Sequence, residues 1–282
     1  MASKSFYAII AGVGAGTGRS VALRFAQAYP VALLARRPES YNDIVAEIKQ
    51  QGGQAIGIST DTADAASVAS AFAAIKKEYP DKYLAAAIYN VGAAFGIKPF
   101  LELTPEEFDS SVAGNARGLF NFAQATLPSL LESVDASPPN PPTLIVTGAT
   151  ASVKGSARFG AFAAGKFANR ALTQSLAREF GPRGVHVAHT IIDGVIDIPR
   201  TKDWPVNEGK PDGKISPDAV SNLLPCVFVG VVFANKDNTM LDCRELLVSA
   251  LAAPLWVHSG VGSEAVCREV LRWGIVLVGC CS

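Results

Sequence analysis

Short apolar runs recur along the first 190 residues, at 6–11, 31–35, 55–58, 84–90, 143–147 and 185–190, with little polar alternation inside them. Such runs mark strands covered on both faces, the situation of a parallel sheet. Between them the apolar positions return every three to four residues, over 18–28, 41–51, 65–79, a long stretch at 105–133, and 159–180. That spacing is helical. Strand and helix alternate throughout, which predicts βαβ units and an α/β fold: a doubly wound parallel sheet of six strands flanked by helices.

Local signals sharpen this outline. Thr104, Pro105 and Glu107 form a capping box with proline at the first helical position, so the long helix starts there. The run SPPNPP at 137–142 is excluded from helix and central strand, because proline lacks the amide hydrogen, and is expected as a surface loop. Ser216, Pro217 and Asp218 open a further helix that Pro225 is expected to end or kink. The βα rhythm then dissolves. The expected organisation is a single domain over 1–220 and an atypical, poorly ordered tail over 221–282, either a diverged lid or sequence foreign to the ancestral reading frame.

Composition narrows the partners. A 282-residue chain with 49% hydrophobic residues sustains one large core. The 25 acidic and 25 basic residues leave no basic excess for nucleic acid or an anionic membrane. The longest apolar runs, such as 223–234, fall short of the roughly 20 residues that span a bilayer, and the opening MASKSFYAII lacks a secretory signal, so a cytoplasmic location is expected. All five cysteines lie after residue 225 without paired CxxC spacing, which argues for free thiols and no metal site. A small-molecule ligand remains.

The segment AIIAGVGAGTGRS places Gly12, Gly16 and Gly18 directly after an apolar strand and directly before a helix, with Thr17 between the last two. Glycine lets the chain turn tightly and approach a pyrophosphate, while the free amides of the helix start favour negative charge. This is the loop of a Rossmann-type dinucleotide site. Enzymes that take NAD usually carry an acid at the end of the second strand; here Ala35 is followed by Arg36 and Arg37. A guanidinium grips a 2′-phosphate, so NADP(H) is the expected cofactor.

From here the chain resembles the short-chain dehydrogenase/reductase (SDR) family over roughly residues 5–220. Ala11-Gly12-x-x-x-Gly16-x-Gly18 is similar to the family's TGxxxGxG loop, and Tyr89-Asn90-Val91-Gly92 to its NNAG motif. The resemblance implies that Asp61 contacts adenine, Asn90 steadies the sheet beside the cofactor, and Asn115 is the catalytic-helix asparagine. It further implies that Lys166 holds the nicotinamide ribose, and that the stretch from Asp193-Gly194, which takes the place of the family's Pro-Gly, with Gly194 and Ile196, closes over the nicotinamide. Thr150 stands at the place of the family's active-site serine, with Ser152 two residues on. The family's YxxxK reads Phe162-Ala-Ala-Gly-Lys166 here, and all six tyrosines lie at or before Tyr89. Phenylalanine has no proton to give. His189, at a strand end, is the remaining imidazole nearby, more in keeping with a structural role.

The sequence thus leads to an NADP(H)-dependent oxidoreductase of SDR type, acting on a carbonyl, alcohol or enone of a small organic molecule. Its cofactor set would be Gly12, Gly16, Thr17, Gly18, Arg36, Asp61, Asn90, Lys166, Gly194 and Ile196. Its catalytic set would be Asn115, Thr150, Ser152, Lys166 and the tyrosine position Phe162. The competing reading is a non-catalytic NADP(H)-binding protein, a redox sensor or scaffold. Any homo-oligomer is expected through the two long helices, 105–133 and 159–180.

Overall fold

In the computed structural model, which describes residues 5–92, 96–138, 140–206, 213–228 and 275–279, seven strands form one sheet in the order β3-β2-β1-β4-β5-β6-β7. The first six are β1 (Ser5–Ala11), β2 (Val31–Ala35), β3 (Ala55–Ser59), β4 (Lys82–Tyr89), β5 (Thr143–Ala149) and β6 (His186–Ile192). These six pair with one another in parallel. The order reverses between β1 and β4, and ligands of open α/β sheets bind outside the carboxyl ends of strands at such a switch point.

Helices cover both faces. Alternate residues of the strands feed two cores: Ile9, Leu34, Leu84 and Val146 join Leu119, Phe122 and Leu130 on one side. Ile10, Leu33, Ile88 and Ile145 join Val21, Phe25, Ile44 and Ile48 on the other. The second face is covered by α1 (Thr17–Ala26), α2 (Asn42–Gln50) and α7 (Pro217–Phe228), and the first by α3 (Ala65–Glu78), α5 (Gly118–Asp135) and α6 (Gly160–Phe180). This burial on both faces is why the strands read as unbroken apolar runs.

Three expectations are corrected. The helix over 105–133 is not uniform: α4 (Pro105–Val112), opened by the expected Thr104/Glu107 box, passes into a π turn (Ala113–Arg117) before α5. A π turn adds one residue to the helix and leaves no mark in the apolar period. Next, α7 does not end at Pro225 but runs through it, as α5 runs through Pro128. Proline removes one hydrogen bond, and burial of Val220 and of Leu224, the latter in the second core, offsets that loss. Finally, the tail holds a seventh strand, β7 (Ile275–Gly279), antiparallel to β6. An isolated run of five apolar residues carries no period of its own, so only the pairing with β6 reveals it. The rest of the tail, with Cys243, Cys267, Cys280 and Cys281, lies outside the described residues.

Candidate active site

The site is built at the carboxyl ends of β1, β4, β5 and β6. Gly12 leaves β1 with φ at +86°, and a Cβ there would sit 2.3 Å from the Asn90 carbonyl oxygen. A Cβ at Gly18 would lie 2.5 Å from the Gly12 oxygen and 2.8 Å from the Val13 Cα. Neither neighbour is a flexible side chain, so β1, the loop and α1 touch through glycine alone. Asn90 fastens this corner: its Nδ2 donates to the Gly12 carbonyl at 3.0 Å, and its Oδ1 accepts from Thr147 Oγ1 at 3.1 Å. One amide therefore ties the ends of three strands.

The first turn of α1 holds no acidic residue and no side-chain cap at Gly16, and Thr17 is buried beside it. The positive end of the helix dipole is left for an external anion. Arg36 follows β2 at the surface, and Asp61 follows β3, its Oδ1 accepting from the Ala63 amide at 3.0 Å. Since Ala35 is paired with Ser59, these two residues leave the sheet on the same edge.

Beyond β6 the chain forms a flap. Asp197 N donates to the Ile215 carbonyl and Ile215 N to the Val195 carbonyl, both at 2.8 Å, with Ile196 bridged to Ile215. Gly194 fits under this flap, where a Cβ would meet Ile215 Cδ1 at 2.8 Å. Ile198 rests on the glycine loop: a Cβ on Gly16 would be 2.6 Å from its Cγ2.

A buried polar seam runs between the π turn and α6. Ser111 Oγ donates to the Ala161 carbonyl at 2.8 Å, Asn115 Nδ2 to the Ser111 carbonyl at 2.9 Å, and Asn169 Nδ2 to Asn115 Oδ1 at 3.3 Å. Gly165 permits the approach, since its Cβ would fall 2.7 Å from Asn115 Nδ2. On the other side of the turn Tyr89 Oη donates to the Gly114 carbonyl at 2.5 Å, and Gly118 leaves room for that phenol. Burial raises the Tyr89 pKa.

Lys166 lies one helical turn beyond the half-buried Phe162, with its Nζ donating to the Thr147 carbonyl at 3.2 Å. Burial lowers its pKa to about 8. His189 lies in the same interior, with Nε2 at 3.3 Å from Ser152 Oγ and Nδ1 at 3.5 Å from Thr173 Oγ1. Desolvation, with Lys166 and Arg170 adding to it, lowers its pKa to about 3, so the ring is neutral. Ser152 is fully buried and donates to the Ala149 carbonyl at 2.6 Å, whereas Thr150 sits at the rim and donates to Asp193 Oδ1. The two hydroxyls weighed from the sequence thus have different surroundings.

Sequence reasoning passed over Ser111, Asn169 and Thr173. The signal was available: Lys166, Asn169 and Thr173 share one face of α6, and three buried polar groups there call for a network. In the sequence Asp193 stands out only as a departure from the family's Pro-Gly. Among the described residues no group of His, Cys, Asp and Glu is arranged to hold a metal, and no helix is long and apolar enough to cross a membrane.

A glycine corner at the switch point, an uncapped helix start and a lysine buried behind them define a Rossmann-type protein built around a nicotinamide cofactor. The chain belongs to the short chain dehydrogenase family, whose model matches residues 7–208. It is 31% identical over 192 residues to a 1,6-dihydroxycyclohexa-2,4-diene-1-carboxylate dehydrogenase of Acinetobacter baylyi, covering 68% of this chain and 70% of the relative. It is 32% identical over 199 residues to a 2,5-dichloro-2,5-cyclohexadiene-1,4-diol dehydrogenase of Sphingobium indicum, covering 70% and 76%. A crystal structure of a short-chain dehydrogenase from Rhodopseudomonas palustris superposes with a TM-score of 0.60 at 30% identity, covering 77% of this chain and 89% of that one. The family and its relatives are oxidoreductases.

Proposed function

We propose that this chain is an NADP(H)-dependent oxidoreductase that interconverts an alcohol, or a diol, and the corresponding carbonyl compound of a small organic molecule. The observation that carries the reading is the glycine corner: Gly12 and Gly18 stand where any Cβ would strike backbone, in front of a helix start without an acid or a cap. That cradle suits a pyrophosphate. Arg36 at the end of β2, with no acid beside it, favours the 2′-phosphate of NADP(H). Asp61 would meet the adenine, Asn90 steadies the corner, Lys166 would hold the nicotinamide ribose, and Gly194 and Ile196 would lie over the nicotinamide. When bound, the cofactor supplies or accepts the hydride.

The substrate class follows the diol dehydrogenases among the relatives. Asn115 shapes the π turn behind the site, and Thr150 is the rim hydroxyl able to meet a substrate oxygen. Lys166 is held as a donor by burial and by Thr147. A second reading, binding without turnover, rests on Phe162: losing a general acid-base group typically costs about 10² to 10⁴-fold in rate.

Titration of NADPH and NADH by cofactor fluorescence, followed by turnover of a panel of diols and carbonyl compounds, tests both readings. NADPH binding at least tenfold tighter than NADH, with turnover by the native protein, is the expected result. NADPH binding with turnover only in Phe162→Tyr would favour the non-catalytic reading, and binding of neither nucleotide would refute both.

A further inference from the structure

The chain lacks the family's phenol, and Asp193 stands where the family has proline. The second of these departures has a hydrogen-bonded partner beyond the neighbouring strand. Ala149 and Ile192 are the last paired residues of β5 and β6, so Thr150 and Asp193 are the next residues out of two adjacent parallel strands. Thr150 Oγ1 donates to Asp193 Oδ1. The carboxylate is exposed and the threonine half-buried at the carboxyl edge of the sheet, the side on which the substrate of such a fold binds.

We propose that Thr150 and Asp193 are the proton-transfer pair of this chain, Thr150 meeting the substrate hydroxyl and Asp193 taking the proton behind it. This rests on the oxidoreductase reading above. In alcohol oxidation the substrate O–H bond breaks and its proton passes to Thr150 Oγ, while the Thr150 O–H bond breaks and that proton passes to the Asp193 carboxylate. The electron pair of the substrate O–H bond becomes the second carbonyl bond. The carbon-bound hydrogen leaves as hydride to an oxidised nicotinamide dinucleotide, the oxidant class of the family. Atoms and electrons balance: alcohol and oxidised cofactor become carbonyl and reduced cofactor, with one proton left on Asp193 and then released to water.

The other proton-bearing groups at this end of the sheet are placed less well. Ser152 is fully buried and its hydrogen is committed to the Ala149 carbonyl. His189 is almost wholly buried and faces Ser152 and Thr173 rather than the rim. Lys166 is likewise buried, against the Thr147 carbonyl. Phe162 carries no exchangeable proton. Among the described residues, the threonine and aspartate couple a hydroxyl at the rim to a base with access to water.

The test compares the full-length protein with Asp193→Ala, Thr150→Val and both substitutions in a Phe162→Tyr background. NADPH affinity is read by fluorescence and alcohol oxidation by steady-state kinetics, with and without added formate. The expected result is that both variants bind NADPH within about threefold of the native protein, while kcat falls about 10²-fold or more with KM little changed. Formate should restore turnover to Asp193→Ala but not to Thr150→Val, and the Phe162→Tyr background should blunt the loss at Asp193, because the phenol then provides a second route. A kcat for Asp193→Ala within threefold of the native value would overturn the pair while leaving the oxidoreductase reading intact. So would an equal loss that neither formate nor the tyrosine relieves, which would mark a structural role. Absence of NADPH binding in the native protein would instead sink the underlying reading.

Discussion

Mild acid should destabilise this protein through His189. The ring is 3% exposed, and its pKa falls from 6.5 to about 3 on folding, chiefly through desolvation and secondarily through Lys166 and Arg170. The native value lies below the unfolded one, so between the two the unfolded chain binds the extra proton. The stability this group contributes is therefore complete above pH 6.5 and is lost as pH falls towards 3. Each pH unit of that interval is worth about 1.4 kcal/mol, so roughly 3 kcal/mol is gone at pH 4.5 and roughly 5 kcal/mol near pH 3. Domains of this kind are stable by about 5–15 kcal/mol in all, so the loss takes a large share of that margin.

Urea unfolding followed by far-ultraviolet circular dichroism at pH 7.5, 6.5, 5.5 and 4.5 measures it, with His189→Gln as the comparison. Glutamine reaches Ser152 and Thr173 but does not titrate. His186, whose pKa burial also lowers, is present in both proteins and cancels, as do the carboxylates. The native protein should lose about 3 kcal/mol more than His189→Gln between pH 6.5 and 4.5. If the two lose stability in step over that interval, His189 is not held neutral in the interior, and the reasoning fails.

Three further outcomes follow from the geometry. Lys166 is charged at neutral pH at a cost, its pKa lowered from 10.5 to about 8 by burial. Lys166→Met should stabilise the cofactor-free protein by up to about 3 kcal/mol at pH 7, an advantage that shrinks as pH rises from 8 to 10.5, while NADPH affinity drops. Arg36→Asp should reverse the cofactor preference, with NADPH affinity down at least tenfold and NADH affinity unchanged or higher, read by fluorescence titration. Gly18→Ala forces a methyl group against Gly12 and Val13 and should cost about 1–3 kcal/mol in urea melts together with most cofactor binding.

The sheet and its flanking helices were legible because burial on both faces writes itself as apolar runs, and the helices as a three-to-four residue period. The glycine corner was legible too, since only glycine meets the contacts that Asn90 and Val13 impose. What escaped was whatever depends on partners distant in the chain. Asn115 and Asn169 meet across 54 residues and Thr150 and Asp193 across 43, and neither pairing leaves a local spacing to read. Ser152 and Thr150 were indistinguishable as letters. Burial separates them: one hydroxyl is sealed under the sheet edge and the other opens on the rim. The seventh strand stayed hidden because its only credential is its neighbour β6.

The π turn gives one helix two allegiances. Before and within it, Ser111 and Asn115 look towards α6; after it, Leu119, Phe122 and Ala123 look into the core beneath the sheet. The surplus residue at 113–117 sets the offset between those two faces. Removing a single residue there would swing one half of the helix about 100° relative to the other, turning either the asparagine or the core stripe away from its partner. Surface loops absorb insertions and deletions at small entropic cost. Here a change in length at 113–117, inside the continuous helical run from Pro105 to Asp135, would be felt both at the Asn115–Asn169 contact and in the core stripe.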